Sequence, residues 1–327
     1  MMRALTFDRL GDPLREPDLL SLREVAEPKA GKGEAIVRVA LAPINPSDFL
    51  FIAGAFPGSV RATPGQVGGL NGAGFVETPA EGGPPAGTLV SFNVLGCWAD
   101  RLAIPAAALI PLPPDMPLEL ASQLPNLITA WDLVENSGVQ PGGWLALTAG
   151  YSTVAVLALQ FAARRGIRVL SIVRRRRDDP DLIGLGAEAV IADAGNLGAA
   201  VLEATGGQAV GGIIDCVAGP SAGDLIRVCA PFSKMQIYGS LDGRDMHVTG
   251  QDILYRGLQI ISYGYRFTFQ PPSTAEDIAL VRRVCDEATN GRLYVPIGGI
   301  HPISDYREAF GAADSGAGKR FLRMADG

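Results

Sequence analysis

The chain has 327 residues, of which 47% are hydrophobic and 19% are charged, and its formal net charge is −6. This composition can supply a large buried core and excludes a disordered chain, and an acidic protein without a general basic face is a poor binder of nucleic acid. No stretch reaches about 18 uninterrupted apolar residues, so no membrane-spanning helix is expected. Four widely separated cysteines and a start without a long apolar run predict a reducing, cytoplasmic location.

The first part of the chain, residues 1–121, is predicted to be rich in β-structure. Residues 34–44 nearly alternate apolar and polar side chains, as in a half-buried strand. Further short runs, each bounded by glycine and proline, follow at 74–83, 87–94 and 100–109. A proline-rich segment at 111–117 then connects this part to a region with a different sequence pattern.

From residue 122 to about 266, short apolar runs alternate with helical patterns. The runs lie at 144–150, 167–173, 187–192, 210–217, 233–240 and 257–265. Between the first two, Val154, Leu157, Ala158 and Phe161 recur at helical spacing. Strand and helix in this rhythm predict an α/β unit with a doubly wound parallel sheet. The last segment, 267–327, contains a helical stretch at 274–291 and is expected to return to the first unit.

The turn after the first of these runs is a candidate phosphate-binding turn. A doubly wound sheet binds nucleotides where this turn meets a helix N-terminus. Residues 148–154 contain only Gly150 as a glycine, so an ordinary strand-to-helix turn stays an alternative. The Thr153 hydroxyl can donate to a phosphate, although its side chain crowds the approach.

Four arginines, Arg174 to Arg177, directly follow the second run of this unit. This is where a dinucleotide fold places the adenosine ribose. A guanidinium pairs with a 2′-phosphate, whereas an acidic residue would favour the 2′-hydroxyl of NAD. The arginines therefore predict NADPH as the cofactor, and the alternative is a solvated basic loop.

Several short motifs spread over nearly the whole chain resemble those of one family. They are Asn45-Pro46-Ser47-Asp48, Gly54-Ala55-Phe56-Pro57, the run from Gly68 to Gly74, the stretch from Asn126 to Trp131, Ile172-Val173-Arg174, Cys216-Val217-Ala218-Gly219, Tyr238-Gly239-Ser240 and Gly318-Lys319. On these motifs the chain resembles the medium-chain dehydrogenase/reductase superfamily, in its zinc-independent branch of quinone oxidoreductases and trans-2-enoyl thioester reductases. The resemblance implies a GroES-like β-rich catalytic domain at 1–121 and 267–327, and a Rossmann-type dinucleotide-binding domain at 122–266.

The same resemblance bears on metal binding. Zinc-using relatives carry a cysteine in the first of these motifs and a His-Glu pair in the third. This chain has Asn45 in the first, and Leu70 and Asn71 in the third. Together with a total of only two histidines, this predicts that no metal is bound.

The resemblance also implies a set of cofactor contacts. The matching positions are Asn126, Gly150, Ser152, Thr153, Val154, Ala155, Arg174, Arg175, Arg176, Tyr238, Gly239, Ser240, Tyr263, Gly264, Tyr265 and Lys319. Two alternatives stay open within this set. Tyr263 and Tyr265 alternate on a predicted strand and could be interface residues, and Lys319 could be a solvated surface lysine.

Two residues bear on catalysis. Hydride addition β to a carbonyl makes an enolate, which needs hydrogen-bond donors. Asn45 is the candidate donor, and the alternative is a turn residue that orders its own loop. Phe56 matches the tyrosine of the enoyl thioester reductases but has no proton to give, which favours a quinone or another activated alkene as the small-molecule substrate. Asp48, beside Asn45, is interpreted as a helix cap and not as a catalyst.

These observations predict a zinc-independent, NADPH-dependent reductase of quinones or α,β-unsaturated carbonyls. Two alternatives remain, namely a true trans-2-enoyl thioester reductase and a catalytically degenerate relative that binds NADPH. The apolar, aromatic segment 257–267 is predicted to be an edge strand that pairs two copies of the chain into a homodimer.

Overall fold

Both ends of the chain contribute to one unit, and the middle of the chain forms another. A computed structural model describes residues 1–56, 61–268, 271–311 and 318–324. The first unit comprises Met1–Pro125 and Arg266–Gly327, and the second comprises Asn126–Tyr265. The sequence pattern predicted domain boundaries after residue 121 and before residue 267. They lie four residues and one residue, respectively, from the boundaries of the two units.

Fifteen strands and nine α-helices are found in the described residues. The N-terminal part contains β1 (Met2–Phe7), β2 (Leu20–Val25), β3 (Glu34–Pro43), α1 (Pro46–Ile52), β4 (Gly72–Thr78), β5 (Leu89–Phe92), β6 (Arg101–Pro105), β7 (Ile110–Pro111) and α2 (Leu118–Ala121). The middle contains α3 (Leu124–Glu135), β8 (Trp144–Leu147), α4 (Thr153–Arg164), β9 (Arg168–Val173), β10 (Ala187–Ala192), α5 (Leu197–Ala204), β11 (Val210–Asp215), α6 (Ala222–Arg227), β12 (Cys229–Ile237), α7 (Gly250–Leu254) and β13 (Gln259–Ser262). The last part contains α8 (Ala275–Asn290), β14 (Ile297–Pro302), α9 (Tyr306–Gly311) and β15 (Lys319–Arg323).

The first unit is built around a mixed seven-stranded sheet in which β3 has a central place. The strand order is β14-β15-β3-β4-β5-β7, and β6 also pairs with β3. The long strand β3 forms because its side chains alternate between the core and the other face, as its sequence predicted. Its inward residues join a core that includes Phe7, Phe51 and Trp98. Because β15 pairs with β3, a segment from late in the sequence lies next to the start of α1.

The second unit contains a parallel six-stranded sheet, as predicted. Its order is β10-β9-β8-β11-β12-β13, so the direction in which strands are added reverses between β8 and β11. Strands that are buried on both faces, such as β8 and β9, read as continuous apolar runs, which makes them visible in the sequence. The fold is therefore the α/β arrangement expected, with a doubly wound Rossmann-type sheet. Nucleotides bind such sheets at the carboxyl ends of the strands that flank this reversal.

Five strands of the first unit, β1, β2, β7, β14 and β15, had no counterpart in the sequence analysis. They are short, and their pairing partners are other strands of mixed apolar and polar character, so periodicity alone does not reveal them. Among the described residues, no helix combines the length and apolar character needed to cross a bilayer.

Candidate active site

The turn between β8 and α4 passes very close to β9. The Gly150 N–H donates to the Ile172 carbonyl at 2.9 Å. A Cβ on Gly150 would lie 3.0 Å from the Val173 Cγ1. Ala149, just before it, has a φ of 48°, a conformation that residues other than glycine rarely adopt. A glycine at position 150 therefore has a packing reason, in addition to its predicted place in the phosphate turn.

Ser152 is the N-cap of α4. Its Oγ accepts a hydrogen bond from the Ala155 N–H at 3.3 Å. The N–H groups of Thr153 and Val154 belong to the first turn of the helix and have no acceptor within it. The N-terminus of α4 thus presents backbone donors and the positive end of the helix dipole, which suits a phosphate. Four of the predicted cofactor residues are brought together here.

Tyr238, at the end of β12, lies beside this turn. Its hydroxyl oxygen is 3.3 Å from the Ser152 Oγ, and it also hydrogen-bonds the Cys216 thiol. Burial raises the pKa of Tyr238 and raises that of Cys216 to about 11, so both groups stay protonated. Gly239 packs closely on Cys216, since a Cβ there would lie 2.6 Å from the Sγ. The adjoining Ser240 is exposed.

A buried polar network joins β8 to β11 at the reversal of the sheet, and sequence reasoning missed it. The Thr148 hydroxyl donates to the Asp215 carboxylate at 2.6 Å and accepts from the Cys216 N–H at 2.8 Å. Asp215 also accepts from the N–H groups of Val217 and Ala218. The network fixes the ends of two strands at the place where a doubly wound sheet binds its ligand.

The arginine run follows β9 as predicted. Arg174 and Arg175 are exposed. The Arg176 guanidinium donates to the carbonyl of Val190 on β10. One of the predicted phosphate ligands is thus also anchored to the neighbouring strand.

Tyr151 ties the arginine run to the β8–α4 turn. Its hydroxyl accepts from the Arg177 N–H and donates to the Arg177 carbonyl, both at 2.8 Å. The Arg177 guanidinium lies 4.2 Å from the centre of the Tyr151 ring, within the range of a cation–π contact. The sequence analysis did not single out Tyr151.

The remaining predicted cofactor residues of this unit lie elsewhere. The Tyr263 hydroxyl donates a hydrogen bond to the Asp132 carboxylate at 2.9 Å, which links this tyrosine to α3. A Cβ on Gly264 would meet no heavy atom within 4 Å. Asn126 lies near the start of α3, and Tyr265 lies just beyond β13. Their roles toward a cofactor stay predictions.

In the first unit, Asp48 holds the start of α1. One carboxylate oxygen accepts from the Asn45 N–H at 2.7 Å, and the other accepts from the Leu70 N–H at 2.9 Å. Asp48 occupies the third position of the helix and Asn45 its N-cap, which agrees with the interpretation of Asp48 as a capping residue. Burial raises the pKa of Asp48 to about 7, although both N–H donors and the charge of Lys319 favour the carboxylate.

Lys319 is not a solvated surface lysine, so that alternative is wrong. Its Nζ donates to the Asn45 Oδ1 at 2.7 Å and to the Ile44 carbonyl at 3.1 Å. Burial lowers its pKa to about 8, and the charge of Asp48 opposes this shift. Gly318, with a φ of 107°, allows the chain to approach β14 so closely that a Cβ would lie 2.8 Å from a backbone nitrogen.

Asn71 completes this cluster. Its Oδ1 accepts from the Asn45 Nδ2 at 2.9 Å, and both amides are buried. The sequence analysis did not include Asn71 among the site residues. The signal was present, since Asn71 stands where zinc-using relatives carry the glutamate of the His-Glu pair.

Phe56 packs on the core of the first unit. Its ring centre lies 6.4 Å from that of Phe51 in an edge-on arrangement. Pro57, the last residue of the same motif, lies outside the described residues.

Comparison with known proteins supports one family. No protein-family model matches the chain. The mitochondrial enoyl-[acyl-carrier-protein] reductase of Rattus norvegicus is 28% identical over 324 residues, which cover 95% of this chain and 85% of that protein. The Homo sapiens protein of the same name gives the same figures. These similarities are consistent with the medium-chain dehydrogenase/reductase superfamily that the sequence motifs resemble.

Solved structures of two quinone oxidoreductases have the same fold. The Escherichia coli quinone oxidoreductase, complexed with NADPH, has a TM-score of 0.84 at 20% identity and covers 98% of this chain and 99% of that one. The quinone oxidoreductase of Thermus thermophilus has a TM-score of 0.81 at 23% identity, with coverage of 98% and 100%. In the present chain, the described residues include no cluster of three or more His, Cys, Asp or Glu side chains suited to a metal.

Proposed function

We propose that the protein is an NADPH-dependent reductase that transfers hydride to a quinone or an α,β-unsaturated carbonyl compound. One observation carries this proposal, namely that Tyr151 ties the arginine run to the turn at the α4 N-terminus. A helix N-terminus for a pyrophosphate and guanidinium groups for a 2′-phosphate are the two recognition elements that NADPH requires. The relatives support it, since they are named as reductases, and two similar structures are described as NADPH complexes.

The residues present fit this cofactor. The N–H groups of Thr153 and Val154 would bind the pyrophosphate, and Arg174 and Arg176 the 2′-phosphate. When bound, NADPH supplies the hydride. The protein positions the reactants and lowers the cost of the charge that develops on the substrate oxygen. Asn45 is proposed to donate an amide hydrogen bond to that oxygen.

Phe56 favours a quinone over an enoyl thioester. Reduction of an enoyl thioester needs a proton for the enolate, and phenylalanine cannot give or relay one. The anion of a reduced quinone is already stabilised and protonates from water. The trans-2-enoyl thioester reductase remains the second candidate, because the curated relatives carry that activity in their names.

A substrate panel tests the function. Oxidation of NADPH, followed by its absorbance, is compared between a series of quinones and crotonyl-type thioesters. We expect turnover with quinones that exceeds turnover with thioesters, and the reverse ranking would support the second candidate. An NADPH fluorescence titration, run in parallel, identifies the third possibility, a degenerate protein that binds the cofactor without turnover.

We also propose that the enzyme works without zinc. The positions of the zinc ligands hold two amides and a leucine, and the Lys319 ammonium lies 2.7 Å from the Asn45 amide oxygen. A second cation beside this ammonium would be repelled. Activity should therefore survive prolonged chelation, and one tightly held zinc per chain would contradict the proposal.

A homodimer in the cytoplasm completes the proposal. β13 is the last strand in the order of its sheet, and Ile261 on it is exposed. A second copy pairing along this edge would cover it. The cytoplasmic location rests on four buried free thiols and stays a prediction, since the curated relatives are named as mitochondrial.

A further inference from the structure

Asn45 is fixed in one orientation by its neighbours. A lysine ammonium can only donate hydrogen bonds, so the atom of the Asn45 amide that faces Lys319 must be the oxygen. The nitrogen then faces the Asn71 Oδ1 and donates to it at 2.9 Å. The usual ambiguity between the oxygen and nitrogen of an asparagine is therefore removed by chemistry.

This arrangement leaves one hydrogen of Asn45 for a ligand. The Nδ2 carries two hydrogens, and Asn71 accepts one of them. The ammonium on the amide oxygen draws electron density from the nitrogen, which strengthens its remaining N–H as a donor. Such a donor is most useful where negative charge develops on an oxygen.

The Lys319 ammonium holds its loop at a larger cost in solvation free energy than an apolar side chain would. Burial of an ammonium carries a large desolvation cost, which an apolar side chain of similar volume avoids. Two of its three N–H groups are donated to Ile44 and Asn45, and Asp48 supplies the compensating charge. An element that served stability alone would not need this pair.

We propose that Lys319 and Asn71 are positioning residues that act through Asn45, Lys319 by orienting and polarising its amide and Asn71 by fixing its nitrogen. This inference rests on the proposed reductase function and replaces the cofactor contact that the family resemblance implied for Lys319. It assigns a lysine–amide pair the task of stabilising the substrate oxyanion.

The charge state of Lys319 adds a readout that a structural role would not move. The groups near it are Asp48 and, beyond Asp48, the Cys97 thiol, whose pKa burial raises so far that it stays neutral. Loss of the Lys319 proton at high pH removes the polarisation of Asn45. The wild-type kcat with a quinone should therefore fall above about pH 8, while the KM changes little.

The test compares Lys319→Met, Lys319→Arg and Asn71→Ala with the wild type and with the control Lys234→Met. Lys234 also donates to a backbone carbonyl, but in the second unit. We expect Lys319→Met to lower kcat by about 10- to 100-fold, with NADPH affinity unchanged and the decline above pH 8 abolished. Lys319→Arg should restore part of kcat and move the decline to higher pH. Asn71→Ala, which alters no charge, should lower kcat several-fold, and Lys234→Met should behave as wild type.

Any other outcome contradicts either the proposed reductase function or the positioning role of Lys319 and Asn71. If the wild type neither binds NADPH nor reduces any quinone, the proposed function fails, and with it the basis of this inference. If the wild type is active and Lys319→Met keeps its kcat and pH profile, or loses only NADPH affinity, the positioning role is wrong. If Lys319→Met does not fold, a wild-type kcat that stays flat to pH 10, or an unchanged kcat in Asn71→Ala, overturns it.

Discussion

Asp48 and Asp277 occupy the same position in two helices, and their surroundings give them opposite properties. Each is the third residue of its helix, and each accepts a hydrogen bond from the N–H of the N-cap residue, which is Asn45 or Thr274. Asp277 is partly exposed, and its hydrogen bonds lower its pKa, with the Thr274 side chain as the largest cause. Asp48 is buried, and the loss of solvation outweighs its hydrogen bonds. One sequence motif thus gives either a stable carboxylate or one that resists ionisation.

The stability of the protein should depend on pH through Asp48. Its folded pKa, about 7, lies above the unfolded value of 3.8, so its contribution is full below pH 4 and is lost as the pH rises to 7. The free energy of unfolding of the wild type, minus that of Asp48→Asn, should therefore be larger at pH 5 than at pH 7.5, by about 2–3 kcal/mol. Urea unfolding at the two pH values measures this difference.

Asp277→Asn is the matched control for this measurement. A carboxyl with a lowered pKa loses its contribution only when the pH falls through that value, so the corresponding difference should be flat between pH 5 and 7.5. Equal behaviour of the two variants would show that burial does not govern Asp48.

Arg174 and Arg176 are expected to select NADPH over NADH. Their replacement by alanine removes charge-assisted contacts to the 2′-phosphate, each worth about 1.5–3 kcal/mol, or tenfold or more in affinity. NADPH binding should weaken by that amount, while NADH binding stays nearly unchanged. Fluorescence titration with both cofactors measures the effect. The double variant Arg282→Ala, Arg283→Ala, at exposed positions on α8, is the control. An equal loss for both cofactors would refute the assignment.

At the scale of elements, the β8–α4 turn and the segment after β9 are held together by one hydroxyl. Tyr151 accepts from and donates to the backbone of Arg177, so the position of the arginines depends on the turn. A residue without a hydroxyl at this position could not make this connection. Tyr151 thus provides a fixed link between two parts of the predicted cofactor site.

Replacement of Tyr151 by phenylalanine should loosen this link and leave the ring in place. We expect NADPH affinity to fall by about 2- to 12-fold, as for the loss of one ordinary hydrogen bond, with NADH affinity unchanged. Tyr255→Phe, at an exposed tyrosine of the same unit, should have no effect. A parallel loss for NADH would mean that Tyr151 supports the whole turn and not the arginine run.

The contrast between the two sheets explains what could be predicted. In the second unit, β9 nearly matches its apolar run, because burial on both faces leaves a continuous signal. β12 begins four residues before its predicted start, since its first residues are partly exposed. The contact between Lys319 and Asn45 could not be predicted from the sequence, because it joins residues 274 positions apart through the pairing of β15 with β3. No local pattern encodes such a register.

At the scale of the whole molecule, we expect the edge strand β13 to govern assembly. Ile261 is exposed on it, and Phe232, Leu254 and Tyr255, which precede it in sequence on β12 and at the end of α7, are more exposed still. Exposed apolar side chains beside an edge strand favour association with another chain.

The variant Ile261→Lys should convert a dimer into monomers. A charge on the edge strand would be buried without a partner at a two-fold interface, whereas it is solvated in a free chain. Sedimentation at micromolar concentration should show twice 34.2 kDa for the wild type and a folded 34.2 kDa species for the variant. Ile278→Lys, at another exposed isoleucine, should stay dimeric. A wild type that sediments as a clean monomer contradicts the proposal. A variant that merely unfolds would indicate that the strand is internal and that the interface lies elsewhere.

The position of β15 within the first sheet has a consequence for the making of the protein. This strand lies between β14 and β3, so the sheet lacks an interior member until the ribosome has added residues 319–323. The second unit, complete by Tyr265, can fold during synthesis, as domains generally do. The Asn45 cluster, in contrast, gains its lysine only after residue 319 has been translated. A nascent chain that has not reached this residue is therefore expected to bind nucleotide before it can catalyse hydride transfer.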